Sequence, residues 1–169
     1  MIPLGIDGNW IGIHDADPRA ITLYRRHYSS NPKSNNHNGI AGPAERMILL
    51  TVTCDALFVW RLNDDPTTLE PSSRRVTRGS TTTYFGGQVG VMCSVFRNEG
   101  QVLSSALILE AVELAWQRWP GRRLFTYVWD SKVKSVNPGY CFKKAGWTTC
   151  GRNKDGRLTI LEVLPVNEE

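Results

Sequence analysis

The sequence predicts an α/β fold with a mixed central sheet of six to seven strands flanked by helices, on three observations. Two near-continuous apolar runs, "QVGVMCSVF" at 88–96 and "RLFTYVW" at 123–129, have the make-up of buried strands. Between them, apolar residues recur at three- and four-residue spacing from Val102 to Trp119, which predicts one long helix with a wide buried face. Earlier, "MILLTVTCDALFVWRL" at 47–62 places two β-branched and aromatic runs around Thr-Cys-Asp-Ala, which predicts a hairpin. Strands alternate with helices only in the second half, so the sheet is expected to be mixed.

The other elements follow in order. Gly5 to His14 is short and alternating, a first strand. Asp17-Pro18 supplies an N-cap and a proline at the first helical position, and Ile21, Leu23, Tyr24 and Tyr28 give the helix an apolar side. Residues 27–43, rich in Ser, Asn, Gly and Pro, form a loop. Residues 63–87 are polar, carry Arg74, Arg75 and Arg78, and are expected to be a long basic loop or insertion. Pro120-Gly121 stops the long helix. Asn137-Pro138 opens a short helix closed by Gly146, and a final hairpin turns at Lys154-Asp155-Gly156. With 169 residues, no internal repeat and no composition break, residues 1–169 are expected to form a single domain.

Composition narrows the function classes. No stretch is apolar enough to span a membrane, and the N-terminus lacks a basic start and apolar core of a signal peptide, so a cytoplasmic protein is expected. Cys54, Cys93, Cys141 and Cys150 form no C-x-x-C pair, and no His or Asp spacing specifies a metal site. The net charge of +4 is modest, but the basic residues are clustered. Arg25-Arg26, Arg74-Arg75, Arg122-Arg123 and Lys143-Lys144 suit a polyanion, either nucleic acid or the phosphates of a cofactor, with Arg74, Arg75, Arg78, Lys132 and Lys134 the candidate DNA contacts. Tyr84 and Phe85 could stack on bases nearby.

Two junctions could carry chemistry. At "RNEGQVLSS", Arg97 to Ser105, a glycine turn leads from a strand into the long helix. The first turn of a helix exposes unpaired N–H groups and partial positive charge, so an anion can bind there, with Arg97, Gly100, Ser104 and Ser105 the candidates. At the second junction, Asp130 ends a buried strand. The carboxyl edge of an open α/β sheet is where ligands bind, and a carboxylate there could act on or orient an amine. His27 and Tyr28 close the first helix and could move protons or stack on a base.

These residues also carry a resemblance. "RNEGQV" followed by Leu-Ser-Ser resembles the acyl-CoA pyrophosphate loop of the GNAT acetyltransferase superfamily, matched at Arg97 and Gly100, with Val102 where a small residue is usual. Asn137, Phe142, Lys144, Gly146 and Trp147 fit the helix that ends the GNAT core. The tyrosine that many of these enzymes use as general acid falls at Phe142, which leaves Tyr140 as the nearest candidate donor. His27-Tyr28-Ser29, Arg97 with the serine that follows, and Asp130 resemble the layout of the Mom family, phage proteins that modify adenine in DNA. The resemblance implies a GNAT-like transferase with acetyl-CoA or a related acyl-CoA as cofactor, and DNA as partner. It implies a modified exocyclic amine of adenine, of acetamido or carbamoylmethyl type, that protects DNA from restriction. Asp130, His27, Tyr28 and Tyr140 would be catalytic. Two other classes stay open: an acetyl-CoA-dependent N-acetyltransferase for a small-molecule or protein amine, and a non-catalytic DNA-binding module of the same fold.

Overall fold

The computed structural model describes residues 8–31, 39–42, 44–63, 88–132, 137, 139–153 and 155–166, and the backbone of 74–78 and 81–85. Lys134, His37, Pro138 and Lys154 lie outside the described residues, as do the side chains of Arg74, Arg75, Arg78, Tyr84 and Phe85.

The chain is α/β. Strands β1 (Trp10–Ile13), β2 (Arg46–Thr51), β3 (Ala56–Asn63), β4 (Arg74–Arg78), β5 (Thr81–Phe85), β6 (Gly90–Asn98), β7 (Leu124–Trp129), β8 (Thr148–Asn153) and β9 (Leu158–Val163) form one mixed sheet in the order β1-β2-β3-β6-β7-β9-β8-β5-β4. Helices α1 (Pro18–Tyr24), α2 (Ser104–Arg118) and α3 (Tyr140–Lys144) accompany it. Seven strands, β1 to β3 and β6 to β9, make the main sheet. The β4–β5 hairpin extends it through two parallel pairs, Thr83↔Arg152 and Tyr84↔Asn153. The stretch expected as a long loop at 63–87 therefore contains two strands. Its β-branched and aromatic residues favour extended backbone, but its polarity hides the alternation that a core-facing strand would show. Among the described residues, no helix is long and apolar enough to cross a membrane.

Period-two alternation divides the core between the two sheet faces. Leu49, Phe58 and Trp60 face one way, where α2 contributes Leu107, Ile108, Ala111 and Ala115, and α3 contributes Phe142. Ile48, Leu50, Leu57 and Val59 face the other way, against Ala20 and Leu23 of α1. Each fully buried Leu or Ile on these faces contributes about 1.5–3 kcal/mol. Two buried tryptophans also fix α2 along the sheet. Trp10 Nε1 donates to the Leu107 carbonyl at 2.9 Å and Trp60 Nε1 to that of Ala111 at 3.0 Å. Asp17 caps α1 as expected, accepting from the Arg19 N–H at 2.9 Å, with Pro18 at the first position.

The feature that positions the site lies in β6. Pairing with β3 runs Val59↔Val95 and then Trp60↔Cys93, so Ser94 is an extra residue, a β-bulge. Bulges bend and twist the strand that holds them. On its other side, β6 pairs in parallel with β7 only through Val91↔Leu124, Met92↔Phe125 and Cys93↔Thr126. Beyond the bulge, β6 continues on β3 to Asn98, while β7 continues on β9 to Trp129. The sheet splits between them. Gly139, before α3, faces this split with φ +77°, and a Cβ there would lie 2.6 Å from Leu161 Cδ1. Gly139→Ala is expected to cost about 1–3 kcal/mol through strain and overlap, read as a lowered urea midpoint with an unchanged m-value.

Candidate functional site

The split between β6 and β7 opens into a cavity of about 330 Å³, within the range of small-ligand sites. Ser94 to Asn98 of β6 and Thr126 to Val128 of β7 line it. His27 and Tyr28 close it on the α1 side, and Gly139, Cys141 and Phe142 on the other. It thus runs through the sheet, between strand segments that no longer bond each other. Thr126 Oγ1 marks its floor, donating to the Cys93 carbonyl at 2.9 Å. Phe96 and Phe142 meet edge-on at 5.8 Å between centroids and make an apolar wall. Ser94 Oγ is buried and has no hydrogen-bond partner among the described residues. A buried hydroxyl left unpaired costs about 1–3 kcal/mol, so this one is placed at the expense of stability.

His27 and Tyr28 follow α1 in the turn rather than in the helix itself. Their rings stack, 4.3 Å between centroids at 29°. His27 Nδ1 accepts the Ser29 N–H at 3.2 Å and lies 2.7 Å from Ser29 Oγ. A backbone amide can only donate, so Nδ1 is the acceptor and the ring proton sits on Nε2. Burial and the nearby Arg97 guanidinium lower the His27 pKa to about 4, which keeps the ring neutral at physiological pH. Tyr28 remains 40 % exposed. Burial raises its pKa, and a backbone hydrogen bond from Trp129 opposes the rise. Burial also pushes the thiols of Cys93 and Cys141 up, so neither is a ready nucleophile.

The residues expected to hold an anion are arranged differently from the expectation. Arg97 lines the cavity, but its guanidinium is engaged: Nε donates to Glu99, and Nη1 to the Arg26 carbonyl at 2.7 Å. Glu99 also takes two bonds from Arg26, at 2.7 and 2.8 Å. Hydrogen bonds from Arg26 and then Arg97 lower its pKa to about 2. Gly100 does not line the cavity. Its N–H donates to Asn98 Oδ1 at 3.0 Å, and a Cβ would overlap the Asp55 carboxylate, so close packing already requires glycine here. Ser104 Oγ accepts from Asn98 Nδ2 at 3.0 Å. Ser104 and Ser105 begin α2, whose N-cap residue, Leu103, gives no side-chain cap.

Asp130 and Tyr140 stand apart from His27 and Tyr28. Asp130 accepts from Thr159 Oγ1 at 2.8 and 2.9 Å and pairs with Arg152 at 3.0 Å, in a separate concavity with Trp129, Ser131, Gly156 and Arg157. The turn after Trp129 carries its side chain away from the split and onto β9. Tyr140 is 55 % exposed at the start of α3, while Phe142, two residues on, faces the cavity. Lys132 Nζ lies over the Trp129 ring at 5.0 Å. Ser94, Asn98 and Cys141 line the cavity without having been singled out in the sequence. The one available signal was a lone serine inside the run "VMCSVF". Among the described residues, no group of three or more His, Cys, Asp or Glu side chains is placed to hold a metal ion.

Known proteins give no match to this chain, whether among family models, curated proteins or solved structures.

The buried His27 makes stability depend on pH. Its folded pKa lies below that of an unfolded histidine, so the unfolded state takes up the proton first. The stability linked to neutral His27 is complete above about pH 6.5 and falls by about 3 kcal/mol as pH drops through 4. Urea titrations between pH 7 and 4 are expected to show this loss in the wild type and to lose most of it in His27→Gln. Glu99, also depressed, adds a separate loss only between about pH 4.5 and 2.

Proposed function

We propose that the chain is a GNAT-like transferase that modifies the exocyclic amine of adenine in DNA, as the resemblance to the Mom family implies, with an acyl-CoA as donor. The observation that carries this reading is the cavity at the split between β6 and β7. It gathers a neutral histidine, a stacked tyrosine, an unpaired serine hydroxyl and an apolar aromatic wall around a space of ligand size.

The residues fit the proposed donor in two ways. Beyond Cys93 and Thr126 the facing edges of β6 and β7 have lost their mutual hydrogen bonds, and an amide-bearing arm lying between them could take their place. The first turn of α2 has no side-chain cap, so its N–H groups are available to phosphate oxygens. Arg97 contributes through charge near the cavity and by anchoring the 26–27 segment. A bound acyl-CoA would supply an activated acyl carbon.

The chain's own groups would orient the base. A base that reacts through its exocyclic amine has to leave the duplex or come from a single strand, and Tyr28 at the mouth offers a ring to stack on. His27 carries its proton on Nε2 and is too weakly basic to accept another near neutrality, so its part is to donate a hydrogen bond. Ser94 Oγ gains its missing partner only when a polar group enters the cavity. Phe96 and Phe142 keep water from the reacting atoms. Asp130 takes no direct part in this scheme, because it is held by Thr159 and Arg152 outside the cavity. Tyr140, at the exposed start of α3, takes none either.

Mass spectrometry of nucleosides from DNA of cells expressing the protein is the test. A new deoxyadenosine derivative is expected with the wild type, with about a hundredfold less in His27→Ala. DNA with unchanged nucleosides would refute the reading, and acetyl-CoA consumption by free amines without DNA would favour an ordinary N-acetyltransferase. Ser94→Ala separates site from scaffold. It is expected to leave stability unchanged or raised by about 1 kcal/mol, because an unpaired hydroxyl is gone, while product falls at least about tenfold.

A further inference from the structure

Trp129 ends β7 next to Val128 of the main cavity and lines a second concavity of about 510 Å³, with Asp130, Ser131, Arg152, Gly156 and Arg157. Val128 lines the first space and Trp129 the second, one residue further along the strand.

The second concavity has a fixed floor and a loosely held cation. Asp130 is neutralised by Arg152, and Arg152 Nη1 also donates to the Gly156 carbonyl at 3.2 Å. Arg157 is different. Its side chain is 71 % exposed, and its nearest carboxylate, Asp155, stands 4.0 Å away. Asp155 is already occupied by the Arg157 backbone N–H at 3.0 Å, a turn-forming bond that holds the carboxylate toward the main chain. Lys132 Nζ lies over the Trp129 ring at 5.0 Å, so a second exposed cation covers one face of the ring next to the concavity. An aromatic ring with two exposed cations around it has the chemistry of a nucleotide subsite: a base takes the place of the Lys132 ammonium on the ring, and the cations take a phosphodiester.

We infer that the concavity of Trp129, Arg152 and Arg157, with Lys132 beside it, holds the nucleotide adjacent to the one in the main cavity, so that the substrate is an extruded or single-stranded DNA segment rather than a free nucleoside. The inference rests on the proposed DNA reading but is tested by binding alone. The probe is a fluorescently labelled, adenine-containing single-stranded oligonucleotide of about ten nucleotides, titrated with the full chain at several salt concentrations. Arg157→Ala alters an exposed side chain, and is expected to weaken binding about three- to tenfold and to reduce the salt slope by about one contact. Trp129→Phe is expected to weaken it several-fold with the slope unchanged. Arg118→Ala, paired with Glu45 elsewhere, is expected to bind as wild type. Equal affinity and slope for wild type and Arg157→Ala would overturn the inference, as would absence of binding by the wild type. Either result leaves the proposed reaction to be decided by the nucleoside measurement, which does not depend on this surface.

Discussion

Ser94 has no partner in β3, and the sheet around it bends accordingly. Up to Cys93, β6 is an ordinary central strand, bonded on one edge to β3 and on the other to β7. One residue later it follows β3 alone. Two parallel strands that separate in mid-sheet each expose an edge of unpaired amides and carbonyls, groups that are costly to bury unless something bonds them. The unpaired Ser94 hydroxyl adds to that cost at the same point. Local defects of this kind persist where the surrounding structure holds them, and here it does. The antiparallel ladders to β3 and β9 fix both strands from outside the split, and Trp60 ties β3 in turn to α2.

The charges around the cavity follow from the same geometry. Where β6 leaves β7, its end comes against the turn after α1, and Glu99 draws Arg26 and Arg97 into one cluster. That cluster holds the 26–29 segment against the split and puts a cation beside His27. The buried ring answers by staying neutral. Arg97 thus acts on the site through His27 and the main chain of Arg26. The loop after it is occupied by Asn98 and Asp55, and the first turn of α2 that follows has no side-chain cap.

Much of the fold was legible in the sequence because it rests on short-range patterns. Asp17-Pro18 capped a helix, the hairpin at 47–62 formed, and the period-four face of α2 packed on the sheet. Asn63 to Gly87 was not legible. A strand pair at the sheet edge needs no apolar alternation, so Arg74–Arg78 and Thr81–Phe85 resembled a loop. His27 and Tyr28 were found through their local motif and do line the cavity. Asp130 and Tyr140 were placed by sequence neighbourhood, yet each points elsewhere for a reason no single sequence records. Asp130 turns to Thr159, which lies on β9, and Tyr140 occupies the exposed first position of a helix whose cavity side is Phe142. Ser94 escaped notice because a bulge is a property of two paired strands, and one strand alone does not announce it.

The account stands or falls on what occupies the split between β6 and β7. A crystal structure of the chain with bound acetyl-CoA tests this directly. The account predicts the pantetheine arm lying between Ser94–Asn98 and Tyr127–Trp129, bonded to both strand edges, with the acetyl group beside His27 and Ser94 and the phosphates at the first turn of α2. Acetyl-CoA bound elsewhere on the surface with the split left empty, or no binding at millimolar ligand, would contradict it.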